Sequence, residues 1–507
     1  MLIQNLEIPR HFMDARSLLS DEAPQYHAGI LEVKFRQDIG PLAIVAGGVP
    51  MMLTRAMAAE HPGMGTLMSY ERSGLIRRVT PLSDSAVKVA IGMGETPMLA
   101  SFAAASHTSV ADDPNARVSM IELYDDADIG RLESELRMDQ TIESVSRVPV
   151  RYLLAKKKVA VVANGSSKKR TSKPSPAVAI PLAVPPSASS LWNLAKIRWM
   201  AARALPGFRD ANTIKVAVLD TGVDRGHPDL QGVIAGYEYQ HQNNPTASTD
   251  RDIIGHGTHV TGTIAANINN AVGINGICTC QIYMQKIFDD IPDWYPQQGA
   301  FAYFVEPVMY ARALSRCLSL GVNVINLSIG GPGAPSPQEL QLFNLLLQRG
   351  TTIVAAMGNE ASSRPSYPAA IDGVVAVGAT SINDVRASFS NFGPHVGLVA
   401  PGVSIWSTLP TYPGNTGYRA KPTMPPTPDF SSPFLRDTDY AAWDGTSMAS
   451  PHVAAAAALL LANKGTMSPA QVKLKLQESA VKVPSMNGQP FTDQFGAGRL
   501  DLANLLR

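Results

Sequence analysis

Residues 215–224 read Lys215-Val216-Ala217-Val218-Leu219-Asp220-Thr221-Gly222-Val223-Asp224. Four apolar residues follow one another without alternation and end on an acid. A strand with one wet face alternates, so this run predicts a strand covered on both faces. The pattern returns at Val322 to Ile329 (VNVINLSI), Thr352 to Met357 (TIVAAM) and Gly373 to Ala379 (GVVAVGA). Helical segments stand between these runs, at Phe304 to Ser319 and Pro337 to Gln348. Strand–helix–strand alternation predicts an α/β fold, a doubly wound and mainly parallel sheet. In such sheets, sites gather at the carboxyl ends of the strands, which is where Asp220 falls.

Upstream the pattern is different. Gly29 to Arg36 (GILEVKFR) and Arg117 to Tyr124 (RVSMIELY) alternate like half-buried strands. Asp128 opens a helix with Ile129, Leu132 and Leu136 on one face, and residues 142–154 (IESVSRVPVRYLL) read as a closing strand. Residues 1–155 are therefore expected to form an α+β domain, with 37–116 untraced. Between 156 and 190 lie Lys156-Lys157-Lys158, Lys168-Lys169-Arg170 and five prolines among serines. Such a stretch cannot build a core and reads as an extended linker. Its basic clusters solvate it or bind an acidic partner. The third unit is 191–507.

Composition narrows the function classes. In 507 residues, 45% are hydrophobic and the formal net charge is +1. The first figure supports a large core, and the second argues against a nucleic-acid protein, which carries a basic excess. The three cysteines, Cys278, Cys280 and Cys317, make neither a disulfide framework nor a zinc pattern and read as small buried hydrophobes. The opening residues carry acids and no apolar core followed by a cleavage site, so a cytoplasmic enzyme is expected, with export by another route left open. No apolar run reaches the roughly 20 residues of a spanning helix, and no membrane partner is expected.

Three clusters carry chemistry. Asp220 ends the run already quoted. His256 sits in Gly255-His256-Gly257-Thr258-His259, entering a small-residue helix. Ser447 sits in Asp444-Gly445-Thr446-Ser447-Met448-Ala449-Ser450-Pro451, opening a long Ala/Leu helix. A serine hydroxyl is a weak nucleophile near neutral pH and needs a base beside it. Histidine titrates near that pH, and a buried aspartate holds its tautomer and steadies the imidazolium. A serine at a helix start also has unpaired backbone N–H groups beside it. Singly, each residue has a duller account: Asp220 and Ser447 as caps, His256 and His259 as metal ligands without the H-E-x-x-H pattern. Jointly, in this order, they outweigh those accounts.

These motifs resemble the subtilisin-like serine proteases, the subtilases, over roughly residues 190–507. The closing Phe495-Gly496-Ala497-Gly498-Arg499-Leu500-Asp501 is similar to the family's last segment. The resemblance implies an endopeptidase with Asp220, His256 and Ser447 as triad and Asn359, in Met357-Gly358-Asn359-Glu360, as oxyanion donor. It implies that Ser328, Ile329 and Gly330 pair with an extended substrate and that Ala356, Met357 and Gly358 form the far pocket wall. That wall is uncharged, so a bulky apolar residue before the cut is expected. No cofactor is expected for catalysis. The resemblance also implies a structural Ca²⁺ held by Asp229, Asn270 and the carbonyls of Ile268, Val272 and Ile274. His227, His259 and His452 are assigned to structure; Asp224 and Asp252 to the surface or to local hydrogen bonds. The end of the 1–155 region resembles the close of a subtilase propeptide, which implies an intramolecular inhibitor and a zymogen. The second reading is a regulated partner-binding protein whose catalytic domain acts only when a partner displaces the N-terminal domain. An α/β-hydrolase esterase is excluded, because no G-x-S-x-G surrounds Ser447.

Overall fold

The computed structural model describes residues 25–36, 44–45, 67, 70, 73, 75–82, 114–115, 117–123, 128–153, 190–239, 249–295, 300–421, 423 and 426–507. The linker expected at 156–190 lies outside them except for its last residue, as does most of 37–116.

The first unit is a five-stranded sheet with a helix on it. Its strands are β1 (Tyr26–Phe35), β2 (Ile44–Val45), β3 (Ile76–Pro81), β4 (Val118–Leu123) and β5 (Ile142–Pro149), ordered β2-β3-β4-β1-β5, and every pairing is antiparallel. Helix α1 (Ile129–Arg137) lays Ile129, Leu132 and Leu136 on Leu31, Val33, Phe35 and Val145. The other face of the sheet is not wet. Val118, Met120 and Val148 turn away from α1 and join a core with Val308, Ala311 and Leu314 of the following unit. Alternation along β4 thus serves two apolar layers, and all six of its residues are buried.

The closing strand expected over 142–154 is two strands. β5 stops at Pro149, which has no N–H to give its ladder, and one last bond follows, from the Val150 N–H to the Gln25 carbonyl at 3.0 Å. After Val150 and Arg151 the chain resumes as β6 (Tyr152–Leu153) in a different sheet.

The second unit opens with α2 (Trp192–Lys196) and α3 (Trp199–Arg203). It is built on a seven-stranded sheet from β7 (Lys215–Asp220), β8 (Ile234–Tyr239), β9 (Gln281–Lys286), β12 (Val324–Leu327), β14 (Thr352–Ala356), β15 (Val375–Thr380) and β16 (Leu398–Pro401). Their order is β16-β15-β14-β12-β7-β9-β8, all parallel. A short hairpin, β10 (Asp293–Tyr295) with β11 (Ala300–Ala302), and the two-residue β13 (Ile329–Gly330) lie outside this sheet. Val216 and Val218 face the core containing α4 (His256–Ala265) and α7 (Thr446–Lys464). Ala217 and Leu219 face the core under α5 (Pro307–Leu320) and α6 (Pro337–Gln348). The unbroken apolar run thus has a physical reason: each alternate residue meets its own helical layer. Helix α5 begins at Pro307 rather than Phe304, because Glu306 caps it and proline suits the first turn. All three cysteines are free and buried. No described helix is long and apolar enough to cross a membrane.

Candidate active site

Asp220 is the last residue of β7 and is fully buried. Its Oδ1 accepts the Thr221 N–H at 2.7 Å and lies 2.7 Å from His256 Nδ1. A carboxylate only accepts, so Nδ1 carries the proton and Nε2 presents its lone pair. His256 Nε2 has no hydrogen-bond partner among the described residues.

The start of α4 is held by Asp252. Its Oδ1 accepts the Thr221 hydroxyl and the Gly255 N–H, each at 2.8 Å. Its Oδ2 accepts the Thr258 N–H and hydroxyl at 2.8 and 2.6 Å. The Thr221 hydroxyl in turn accepts the Gly257 N–H at 2.9 Å, so one side chain ties the end of β7 to the helix carrying His256. Gly257 has no substitute here, since a Cβ would meet the Gly222 carbonyl at 2.1 Å. Asp224 is likewise buried and accepts from Gly226 and Thr411. Of the two roles expected for Asp224 and Asp252, local hydrogen bonding is the one observed.

Ser447 is the second residue of α7. Its hydroxyl donates to the Ser328 carbonyl at 3.0 Å, and the Ser328 hydroxyl donates to the Ser447 carbonyl at 3.1 Å. Pro451, four residues on, explains the second bond: it has no N–H to close the helical turn on Ser447. The Ser447 hydroxyl is thus engaged with Ser328, not with His256 Nε2. Asn359 Oδ1 accepts the Thr446 N–H at 2.9 Å and its hydroxyl at 3.0 Å, which fixes the amide beside the start of α7.

The cleft beside Ser328 contains chain. β6 pairs antiparallel with β13, Tyr152 opposite Gly330 and Leu153 opposite Ile329. On its other side the Leu153 N–H donates to the Tyr303 carbonyl at 3.2 Å, and the Val305 N–H to the Arg151 carbonyl at 2.7 Å. Ala356 and Met357 are buried, and Gly358 follows with φ near 107°. The Tyr152 hydroxyl donates to Glu360 Oε1 at 3.1 Å, and burial pushes the Glu360 carboxyl up to about 7. The wall expected to be uncharged therefore has a carboxyl two residues beyond Gly358. Sequence reading passed over Glu360, although it adjoins Asn359.

The N-terminal sheet also meets α6. Glu32 on β1 accepts the Ser336 hydroxyl at 2.8 Å beside the first turn of that helix. Burial raises its carboxyl to about 7.

Asp229, in the short turn Pro228–Leu230, meets Asn270 of the 267–276 loop. Asp229 Oδ1 accepts from Asn270 Nδ2 at 2.8 Å, and Oδ2 from the Ile274 N–H at 2.9 Å. Asp229 is fully buried without an ion-pair partner among the described residues, and burial raises its pKa. Asn269, Ala271 and Gly273 take positive φ at alternate positions between the carbonyls of Ile268, Asn270, Val272 and Ile274. Both Asp229 oxygens accept N–H groups and the Asn270 oxygen accepts the Val272 N–H, so a cation here would have to displace these bonds. The oxygen donors themselves are of the kind that calcium takes. The remaining histidines are structural. His227 bridges the Asp229 N–H and the Asp439 carbonyl. His259 stacks on Trp443 at 5.1 Å and bonds the Ile405 carbonyl; burial lowers its pKa to about 3. His452 is held by Asn193 and the Met448 carbonyl.

Comparison with known proteins bears on residues 211–498, which match the family model described as Subtilase family, Peptidase_S8. Subtilisin BL from Lederbergia lenta is 36% identical over 299 residues, 58% of this chain and 93% of that protein. Subtilisin E from Bacillus subtilis (strain 168) is 36% identical over 280 residues, 54% of this chain and 62% of that one. A crystal structure of fervidolysin from Fervidobacterium pennivorans, described as a keratinolytic enzyme related to subtilisin, is similar in fold, with a TM-score of 0.57 at 23% identity. That likeness covers 96% of this chain and 62% of fervidolysin.

Proposed function

Since the chain belongs to the subtilase family and is a serine protease acting on polypeptides, we propose that it is an endopeptidase working through Asp220, His256 and Ser447 and held in check by its own N-terminal region. The observation that carries the triad is the 2.7 Å contact of His256 Nδ1 with the buried Asp220, which leaves Nε2 as the free base. In the proposed reaction, Ser447 exchanges the Ser328 carbonyl for Nε2 as acceptor of its proton. Its Oγ then attacks the substrate carbonyl, giving a tetrahedral oxyanion. The Asn359 amide and the backbone at the start of α7 donate to that oxygen. His256 returns the proton to the leaving amine, and an acyl-enzyme remains on Ser447. Water, activated by the same base, completes the hydrolysis. Asp220 stays ionised and holds the ring throughout.

The check on activity rests on β6. It lies between Ile329–Gly330 and Tyr303–Val305, the lane an extended substrate would use. The full-length chain is expected to be inactive on added peptides until it is cut just after β6. An extended peptide that continued this pairing by one residue would meet Ser328 next, so the first cut is expected between Leu154 and Ala155. Mass spectrometry of the incubated wild type and Ser447→Ala chains reads this. Full activity of uncut wild type sinks the inhibitor role. Activity that appears without any cut, only on adding a second protein, favours the partner-displaced reading.

A Ca²⁺ at Asp229 and Asn270, with the carbonyls of Ile268, Val272 and Ile274, is proposed as structural; it takes no part in the chemistry. A ligand held only by the folded state at about 100 times its Kd adds ~2.7 kcal/mol. For a domain of this size, that is a rise of ~5 °C in Tm. Superimposable melting curves in millimolar calcium and in chelator remove the ion from the account.

A further inference from the structure

One of the tail residues set deep against the protease region is a charged one. Arg151 is 2% exposed. Its Nε and Nη2 fork onto the Glu339 carboxylate at 3.3 and 2.8 Å. Nη1 donates to the Gly333 carbonyl at 2.8 Å and to the tail's own Val150 carbonyl at 2.9 Å. The Tyr367 ring centre lies 5.9 Å from the guanidinium carbon. Glu339 is the third residue of α6, with its N–H on the Ser336 hydroxyl. Its Oε1 also accepts the Tyr310 hydroxyl at 3.2 Å, and Arg151 is its one ion-pair partner among the described residues.

Glu339, Gly333, Tyr310 and Tyr367 all belong to the protease region, so the site outlasts the departure of the tail. The tail is held by backbone bonds: the Val305 N–H to the Arg151 carbonyl, and the ladder to Gly330 and Ile329. Backbone bonds do not distinguish side chains. Any extended peptide in this lane puts one residue over Glu339, the next opposite Gly330, the next opposite Ile329 and the fourth opposite Ser328. The Ser328 carbonyl is where the Ser447 hydroxyl lies.

We propose that Glu339, with Gly333, Tyr310 and Tyr367, selects arginine at the fourth position before the bond that is cut. This rests on the peptidase reading above. A planar guanidinium matches both carboxylate oxygens and the Gly333 carbonyl together, whereas a lysine ammonium meets them as a point charge. An apolar side chain over Glu339 desolvates the carboxylate with no cation to offset it. The competing account is that the ion pair only docks the N-terminal region, and it predicts indifference among added peptides.

The test uses the full-length chain after it has processed itself. Three peptides are compared: Val-Arg-Tyr-Leu-Leu-Ala-Lys and its analogues with lysine or norleucine for arginine. The kcat/KM for arginine is expected to exceed that for norleucine by about tenfold or more, with lysine between them. In Glu339→Gln the arginine-to-norleucine ratio is expected to fall to about threefold or less. Rates on the three wild-type substrates within about twofold of each other overturn the arginine site, as does a preference that survives Glu339→Gln. If that variant does not fold, the wild-type ratios still decide. A serine-directed phosphonate separates the two readings. Labelled enzyme that cuts all three peptides alike loses the arginine site and keeps the peptidase; enzyme that is neither labelled nor active loses both.

Discussion

Ser447→Ala is expected to lower peptide hydrolysis by about six orders of magnitude and to abolish labelling by a serine-directed phosphonate. The magnitude is that of the corresponding loss in subtilisin, carried to this chain by family membership. The physical reason is local. The Ser447 hydroxyl lies both at the start of α7 and against the strand proposed to bind substrate. Without it, water must attack directly, and only the oxyanion donors and substrate positioning remain. The loss should not come from unfolding. Alanine suits a helix, and the Ser447 backbone carbonyl, which holds the Ser328 hydroxyl, is untouched. An unchanged melting curve with lost activity supports the assignment; equal labelling of wild type and variant would falsify it.

Asn359→Ala is expected to cost about 10²–10³ in kcat with little change in KM, again a magnitude taken from subtilisin. The amide is pinned by its oxygen to Thr446, so its NH₂ is oriented before substrate arrives. Charge builds on the substrate oxygen only as Ser447 attacks, so the donor contributes mainly at that stage. The variant also frees the Thr446 N–H at the start of α7, and a loss of stability of about 1 kcal/mol should accompany the kinetic effect. A variant changed in KM alone contradicts the role. The ester of a good leaving group, whose hydrolysis depends less on the oxyanion, should show a smaller loss than an amide.

The fold was legible because its signals are local. Val216 to Leu219 announce two-sided burial by composition alone, and Pro337 marks a helix start, whereas the sequence pattern sets the start of α5 three residues too early, at Phe304 rather than Pro307. The candidate triad stood out in the sequence because each of its residues sits at a strand end or helix start with small neighbours; the structure brings Asp220 and His256 into contact and leaves the Ser447 hydroxyl on Ser328. What escaped depends on contacts far apart in sequence. Arg151 and Glu339 are 188 residues apart, and nothing near either shows the other. Ser336-Pro337-Gln338-Glu339 announces a helix start, yet the carboxylate of that motif turns to the tail. The break at Pro149 was visible as a proline, but its consequence was not: one continuous β-pattern serves two sheets. Asp252 stands four residues before His256, where an acid can cap the helix, and only the structure shows four donors on it.

On the release proposed above, β6 would leave a vacancy of a particular kind. Ile329–Gly330 and Tyr303–Val305 then become two facing edges with open N–H and C=O groups, shaped to accept one more strand and indifferent to its sequence. Sheet edges of this sort template aggregation when left bare. Here two edges a single strand apart admit one chain and no sheet, so the released enzyme is protected from stacking on itself by width alone. The same dimension bars any folded substrate: a polypeptide must first surrender a segment of its own structure to fit. Susceptibility to this protease should therefore follow a protein's local unfolding first, with side-chain preference choosing only among the segments that unfolding exposes.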